Sequence, residues 1–276
     1  VGQQNKPLHV FMTADSVGGV WQYALELIHG LARYDVEVSL ATMGQRLSLS
    51  QRTELRQSPV RAAFESDFKL AWMNDPWDDV EAASKWLLDI TEQLEPDVIH
   101  LNDFSHGDLP WPAPVLMVGH SCVLSWWRAV HGENAPIAYN RYRDVTRRGL
   151  QAAHLLVAPS RSMLQALQHH YGTPPRTRII ANSRRPGLWK CGAKQPFIFA
   201  AGRIWDAGKN LNALASIADR LPWPVHIAGE DRSPDGHQLA LSSVRFRGHL
   251  SATSLASWLA KAAIYALPAR YEPFGL

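Results

Sequence analysis

Short apolar runs alternate with segments of helical periodicity from one end of the chain to the other. Residues 8–14 form an apolar run that predicts a strand, leading into Thr13-Ala14-Asp15-Ser16-Val17-Gly18-Gly19. Beyond the glycines, Val20, Trp21, Ala24, Leu25, Ile28 and Leu31 recur at the spacing that lines one helix face. Residues 36–42 predict a strand and 80–94 an amphipathic helix, with Pro96 as its stop signal. Strands are expected at 97–102, 114–119, 155–158 and 178–181, with a helix from Ser160 to His170 capped by the Ser160 hydroxyl. Residues 136–153 read as a further helix.

The alternation breaks over residues 186–196, where proline and glycine mark a linker. It then restarts, with strands at 197–201, 225–228, 244–247 and 264–267 and helices at 210–221 and 253–263. Buried strands alternating with helices predict parallel sheets covered on both faces. The restart predicts two such units, so the expected fold is α/β with two Rossmann-like domains, residues 1–186 and 187–276. Sites in such folds lie where loops leave the C-terminal ends of strands and between domains. The residues just after each strand are therefore the ones to weigh.

Composition adjusts this picture modestly. With 276 residues, 46% hydrophobic and 19% charged, the chain can bury a core. A net charge of +3 is too thinly spread to suggest nucleic acid as a partner. Cys122 and Cys191 belong to no C-x-x-C pair, so neither a disulfide framework nor a zinc site is expected, and a reducing cytoplasm is the default. No run approaches a membrane span, and the start lacks a signal pattern. The opening Val1-Gly2-Gln3-Gln4-Asn5-Lys6 reads as trimmed and is left out of fold reasoning. Eleven Trp are many for this length; core filling accounts for most, and sugar stacking is open to a few. Arg141, Arg143, Arg147 and Arg148 make the 136–153 helix basic. Peripheral contact with the inner membrane face is one reading, but Asp144 interrupts the patch and favours a solvated face.

Three loops offer chemistry. Gly18-Gly19 lies between a strand and a helix, where it is either a tight turn or a place for an anion to meet free helix N–H groups. No G-x-G-x-x-G occurs there, so a nicotinamide or flavin dinucleotide is disfavoured. Gly202-Arg203-Ile204-Trp205-Asp206-Ala207-Gly208-Lys209-Asn210 follows the first strand of the second unit. It is no P-loop, because the glycine spacing is wrong and Asn210 stands where Ser or Thr would hold magnesium. What remains is Arg203 and Lys209 flanking a strand-to-helix loop, a fork of donors and a point charge suited to a diphosphate without a metal. The third loop, Pro268-Ala269-Arg270-Tyr271-Glu272-Pro273-Phe274-Gly275-Leu276, also follows a strand. It offers a carboxylate to ligand hydroxyls and a glycine that lets backbone N–H groups approach a phosphate.

Other polar residues are weaker signals. His100 and His106 flank Asn102-Asp103 without a third ligand at metal spacing, which favours a hydrogen-bond network. Asp78-Asp79 look like a helix start, where acidic side chains are stabilising. No D-x-D triplet occurs, which argues against a metal-dependent single-domain transferase.

Taken in order, these residues resemble the family-four retaining glycosyltransferases of the GT-B fold. The family's G-R-x…K loop followed by E-P-F-G-L corresponds to Gly202-Arg203…Lys209 and Glu272-Pro273-Phe274-Gly275-Leu276. Val225-His226-Ile227-Ala228-Gly229 and Val244-Arg245-Phe246-Arg247-Gly248 match the strand-plus-glycine landmarks of its nucleotide domain. Gly18-Gly19 and the strand ending at His120 match in the first unit. Two departures are visible: Asn182-Ser183 stands for the family's Asn-Gly, and the second Glu of the family's pair would fall beyond Leu276. The donor domain is therefore expected to be partial and C-terminally truncated.

The resemblance implies roles by position. Arg203 and Lys209 would neutralise the donor's pyrophosphate, Glu272 would contact sugar hydroxyls, and the backbone at Phe274, Gly275 and Leu276 the phosphates. His120 would sit near the sugar and contribute a hydrogen bond, both it and Glu272 counting as catalytic. Gly18 and Gly19 would admit the donor phosphates, and Gly229, Glu230, Gly248 and Leu250 would neighbour the base. Asp103, Ser121, Trp126 and Trp127 are the acceptor-side candidates. No metal and no resident cofactor are implied; the nucleoside-diphosphate sugar is a co-substrate and the oligomeric state is open. The implied reaction is metal-independent hexosyl transfer to a carbohydrate, lipid or small-molecule acceptor. The alternatives are a non-catalytic sugar-nucleotide- or partner-binding fragment, or another GT-B enzyme such as a sugar-nucleotide epimerase.

Overall fold

The computed structural model describes residues 6–233, 236 and 238–276; the opening Val1–Asn5 lies outside the described residues. The chain divides into two compact units. The first holds residues up to Ser125, then Asn134–Arg184 and Pro273–Leu276; the second holds Trp126–Glu133 and Arg185–Glu272. The division is thus not a single cut, since one short stretch of each half groups with the other.

In the first unit, β1 (Leu8–Asp15), β2 (Val36–Met43), β3 (Ala62–Glu65), β4 (Val98–Leu101), β5 (Val115–Val118), β6 (Leu155–Ala158) and β7 (Thr177–Ile179) form one sheet of order β3-β2-β1-β4-β5-β6-β7. Every pairing in it is parallel. The helices are α1 (Gly19–Leu31), α2 (Leu49–Arg56), α3 (Trp77–Leu94), α4 (Val123–His131), α5 (Asn140–Ala152) and α6 (Arg161–Tyr171), with α4 running on into the second unit. The period-two alternation of β1 shows why both faces need cover. Val10, Met12 and Ala14 pack with Trp21, Ala24, Leu25 and Ile28 of α1, while Phe11 enters the opposite core with Leu87 and Ile90 of α3 and Leu150 of α5.

The second unit repeats the scheme with β8 (Gln195–Ala201), β9 (Val225–Ala228), β10 (Arg245–Phe246) and β11 (Ala262–Tyr265), parallel in the order β10-β9-β8-β11. Its helices are α7 (Leu211–Ala215) and α8 (Ala252–Lys261). On β8, Ile198 and Ala200 face Leu211 and Leu214 of α7, while Phe197 and Phe199 face the α8 side, where Phe199 stacks on Trp258 at 5.7 Å.

The differences from the sequence reading have local causes. The short α2 and β3 were not expected; α2 fully buries none of its side chains and packs only Leu55 against the core, yet Ser48 and Gln51 form a capping box. α4 was not expected either. The expected 210–221 helix is only α7, which starts after a left-handed Asn210 (φ 53°) and ends at Ala215, followed by a 3-10 turn at Ala218–Arg220. β11 begins earlier than expected, at Ala262. Ser160 does cap α6, accepting from the Met163 N–H, and Asp78 and Asp79 lie in the first turn of α3.

Candidate active site

In the second unit, backbone hydrogen bonds gather the strand ends. Gly202 N donates to Ala228 O at 3.0 Å, Ile204 N to Glu230 O at 2.8 Å, and Gly229 N to Gly248 O at 2.9 Å. Gly229 has φ +142°, and a Cβ there would lie 1.8 Å from Gly202 O, so only glycine permits this approach. Arg270 N and Tyr271 N both donate to Gly208 O, at 2.8 and 3.1 Å, which draws the loop after β11 onto the loop after β8. Arg203, Lys209, Gly229, Glu230, Gly248 and Glu272 are thereby brought to one end of the sheet. Leu250 instead packs against the Phe197–Phe199 core.

Arg203 and Lys209 each have a carboxylate partner. Lys209 Nζ pairs with Glu272 Oε2. Arg203 Nη2 donates to Asp206 Oδ2 at 2.7 Å, and its guanidinium lies 4.9 Å from the Trp205 ring centre. Asp206 is buried and its Oδ1 accepts two more bonds, from Gly208 N at 2.9 Å and from Trp126 Nε1 at 2.9 Å. This hub was not singled out from sequence, although an acid between two loop cations was its visible signal. It also gives Trp126, an acceptor-side candidate, a role within the second unit: its indole N–H is engaged by the Arg203–Lys209 loop. Trp127 lies 6.2 Å from Trp126, ring centre to ring centre, and 4.4 Å from His131.

In the first unit, His120 follows β5 and its Nε2 lies 2.8 Å from Asn102 Oδ1. The Tyr23 ring meets it edge-on at 4.5 Å. Burial, with His100 nearby, pushes the His120 pKa down to about 3, and burial pushes His100 down to about 4, so both rings are neutral near pH 7. Burial likewise raises Tyr23 to about 12. Asp103 is committed internally: its Oδ1 accepts from Ser105 N, Ser105 Oγ and His106, the last at 2.7 Å, and its Oδ2 from Thr13 Oγ1 at 3.2 Å. Burial opposes both charges of the Asp103–His106 pair, yet each partner holds the other ionised, lowering the carboxyl and raising the imidazole. The expected His100–His106 network is thus two arrangements, with His106 on Asp103 and His100 beside Asn102.

At the first strand end, Gly18 has φ 107°, a conformation that L side chains rarely adopt, and Gly19 starts α1 with nothing within 4 Å of a Cβ position. Ser121 is exposed. Phe274, Gly275 and Leu276 group with the first unit, where Ser160 Oγ donates to Pro273 O at 3.0 Å.

Residues 17–184, more than half of the chain, match the family described as Glycosyltransferase Family 4. The chain belongs to glycosyltransferase family 4. No curated protein matches this glycosyltransferase. Solved structures share its GT-B fold. Sucrose-phosphate synthase from Thermosynechococcus elongatus is 16% identical with a TM-score of 0.78, covering 98% of this chain and 77% of that one. Anabaena HepE, solved in complex with UDP, is 14% identical with a TM-score of 0.63, covering 95% and 74%. A glycosyltransferase from Rickettsia africae is 13% identical with a TM-score of 0.56, covering 96% and 73%.

Among the described residues of this glycosyltransferase, no group of three or more His, Cys, Asp or Glu is placed to hold a metal. None of its described helices is long and apolar enough to cross a membrane. The arginines of α5 are engaged: Arg141 lies over Trp77, Arg143 and Arg147 pair with Asp144, and Arg148 pairs with Asp108.

Proposed function

We propose that this family-four glycosyltransferase moves a hexose from a nucleoside-diphosphate donor to a carbohydrate, lipid or small-molecule acceptor with retention of configuration, using no metal or resident cofactor. The observation that carries the reading is the gathering of Arg203, Lys209 and Glu272 at one end of the β8–β11 sheet. Two cations and the adjacent loop N–H groups suit a diphosphate, and the neighbouring carboxylate suits sugar hydroxyls. The UDP held by HepE, a protein of the same fold, supports a nucleotide donor.

In this reading negative charge grows on the diphosphate as the C1–O bond to phosphate breaks, and Arg203 and Lys209 stabilise it. The acceptor oxygen bonds to C1 on the face the phosphate leaves, and its proton passes to a departing phosphate oxygen. No protein nucleophile is needed. Lys209 leaves Glu272 for phosphate when the donor binds, and Glu272 turns to hydroxyls, whereas Arg203 stays fixed by Asp206. A cytoplasmic location, with any membrane contact peripheral, suits Cys122 and Cys191, which form no disulfide.

Calorimetry with UDP, GDP and ADP tests the donor assignment. Arg203→Ala and Lys209→Ala each remove charge-assisted bonds, so binding of the preferred diphosphate should weaken about 10- to 100-fold. Unchanged affinity for all three in both variants refutes it.

A further inference from the structure

The environment of His120 settles more than its position. Asn102 is held at three points. Its backbone N–H donates to Thr13 Oγ1 at 3.0 Å, its side-chain Nδ2 donates to Thr13 O at 2.7 Å, and its Oδ1 faces His120 Nε2 at 2.8 Å. Amide oxygen and nitrogen look alike in shape, so their assignment has to come from partners. Here the partner decides. Thr13 O is a carbonyl and only accepts, so the amide edge facing it is the NH2 group and the edge facing His120 is the oxygen. Thr13 is itself locked, because it lies on β1 and its hydroxyl donates to Asp103, whose other oxygen is held by His106. Turning the amide over would set oxygen against oxygen at the Thr13 carbonyl and N–H against the ring nitrogen.

We infer that Asn102 is a positioning residue that holds His120 as the neutral Nε2–H tautomer, leaving Nδ1 as a bare acceptor for a ligand hydroxyl. An amide oxygen only accepts, so Nε2 must carry the proton, and a neutral imidazole has no second one. The groups facing the ring from other elements are Tyr23 of α1, His100 of β4 and Asn102 after β4. None is a carboxylate that would stabilise an imidazolium, and burial favours the neutral ring. Nδ1 has no hydrogen-bond partner among the described residues, yet it is not among the side-chain atoms buried without one. The ring therefore offers a lone pair, which accepts a sugar O–H and cannot donate to an oxyanion. This rests on the proposed transferase reading for the identity of the ligand, and on the Asn102 geometry alone for the tautomer. His120 is thus built to recognise a hydroxyl rather than negative charge.

Long-range 1H–15N correlation spectra of the full chain read the tautomer directly, with the His120 signals assigned by their loss in His120→Gln. The expected result is a protonated Nε2 and an unprotonated Nδ1, unchanged from pH 7.5 to pH 5. In Asn102→Leu, which removes the acceptor, the Nε2–H preference should be lost. In Asn102→Asp, which keeps an oxygen but adds charge, the ring should titrate at higher pH than in wild type. A protonated Nδ1, or an imidazolium, in wild type at pH 7 overturns the inference without any variant having to fold. The spectra need no substrate. If UDP, GDP and ADP fail to bind while the Nε2–H tautomer is seen, the transferase reading fails and the tautomer stands. If binding depends on Arg203 while Nδ1 carries the proton, the reverse holds.

Discussion

The Asn102–His120 niche of the first unit and the Arg203–Lys209 loop of the second are built on opposite principles. The niche is uncharged, with Asn102 buried and His120 half-buried, and its amide is anchored on a strand carbonyl, Thr13 O. The loop is polar and charged, and each of its cations sits on a carboxylate. A buried neutral network has one satisfied arrangement, because every misplaced donor or acceptor is costly in low dielectric. An ion pair near water is worth little and exchanges readily for a better partner. Within the loop the contrast recurs: Asp206 is buried with three donors, whereas the Lys209–Glu272 pair is partly exposed with one contact. The niche therefore holds one fixed geometry, whereas the Lys209–Glu272 pair is a charge contact that can exchange partners.

Acid is the strongest way to separate the two regions. His100 and His120 have folded pKa values below the ordinary histidine value, so between about pH 6.5 and 4 the unfolded chain binds more protons than the folded one. Their contribution is present above pH 6.5 and is lost as pH falls, at about 1.4 kcal/mol for each unit between folded and unfolded pKa. His226 in the second unit, lowered by burial and by Arg247 and Arg245, acts in the same sense, and His106 acts oppositely because its value is raised. Urea unfolding of wild type against His100→Gln from pH 7 to pH 4 isolates the niche. The wild type should lose stability more steeply, and equal slopes would remove burial of a neutral His100 as a source of acid sensitivity.

Next in size is the Asp206 hub. Asp206→Ala leaves Trp126 Nε1, Gly208 N and the Arg203 fork without their shared acceptor, and should cost about 3 kcal/mol. Asp206→Asn keeps one oxygen and should cost less. Denaturant midpoints that match wild type in both would show that the carboxylate does not hold the loop.

The smallest effect sharpens the comparison most. Glu272→Gln releases Lys209 and removes a negative charge beside the proposed diphosphate position, so UDP should bind about two- to fivefold more tightly, the scale of a surface ion pair. Weaker binding in calorimetry would mean that Glu272 supports the diphosphate site rather than competing for its lysine.

Much of the fold was legible because it follows from periodicity. β6 and β9 lie where the apolar runs placed them, and Ser160 caps α6 as its residue type suggests. The elements missed were those with little apolar signal: α2 sets only Leu55 against the core, and the one fully buried residue of α4 is Ser125. The gathering of Arg203, Lys209 and Glu272 was legible too, since each stands in a loop that follows a strand. Asp206 and Asn102 were not, because an acid or an amide in a loop is ordinary until its partners are known. Trp126 lies eighty residues from Asp206 in the chain, and no local pattern links them.

The sequence by itself determined two runs of strand–helix alternation, the motif order of a family-four glycosyltransferase and which charged side chains stand in the loops after its strands. These depend on side-chain spacing along a single element, which is a local property. Only the tertiary structure decided which carboxylate each cation faces, that Asp103 is spent on His106 and Thr13, and which nitrogen of His120 holds the proton. Those outcomes depend on partners brought from distant strands and on burial that removes water as the alternative partner, and neither is written in the order of residues along one strand or helix.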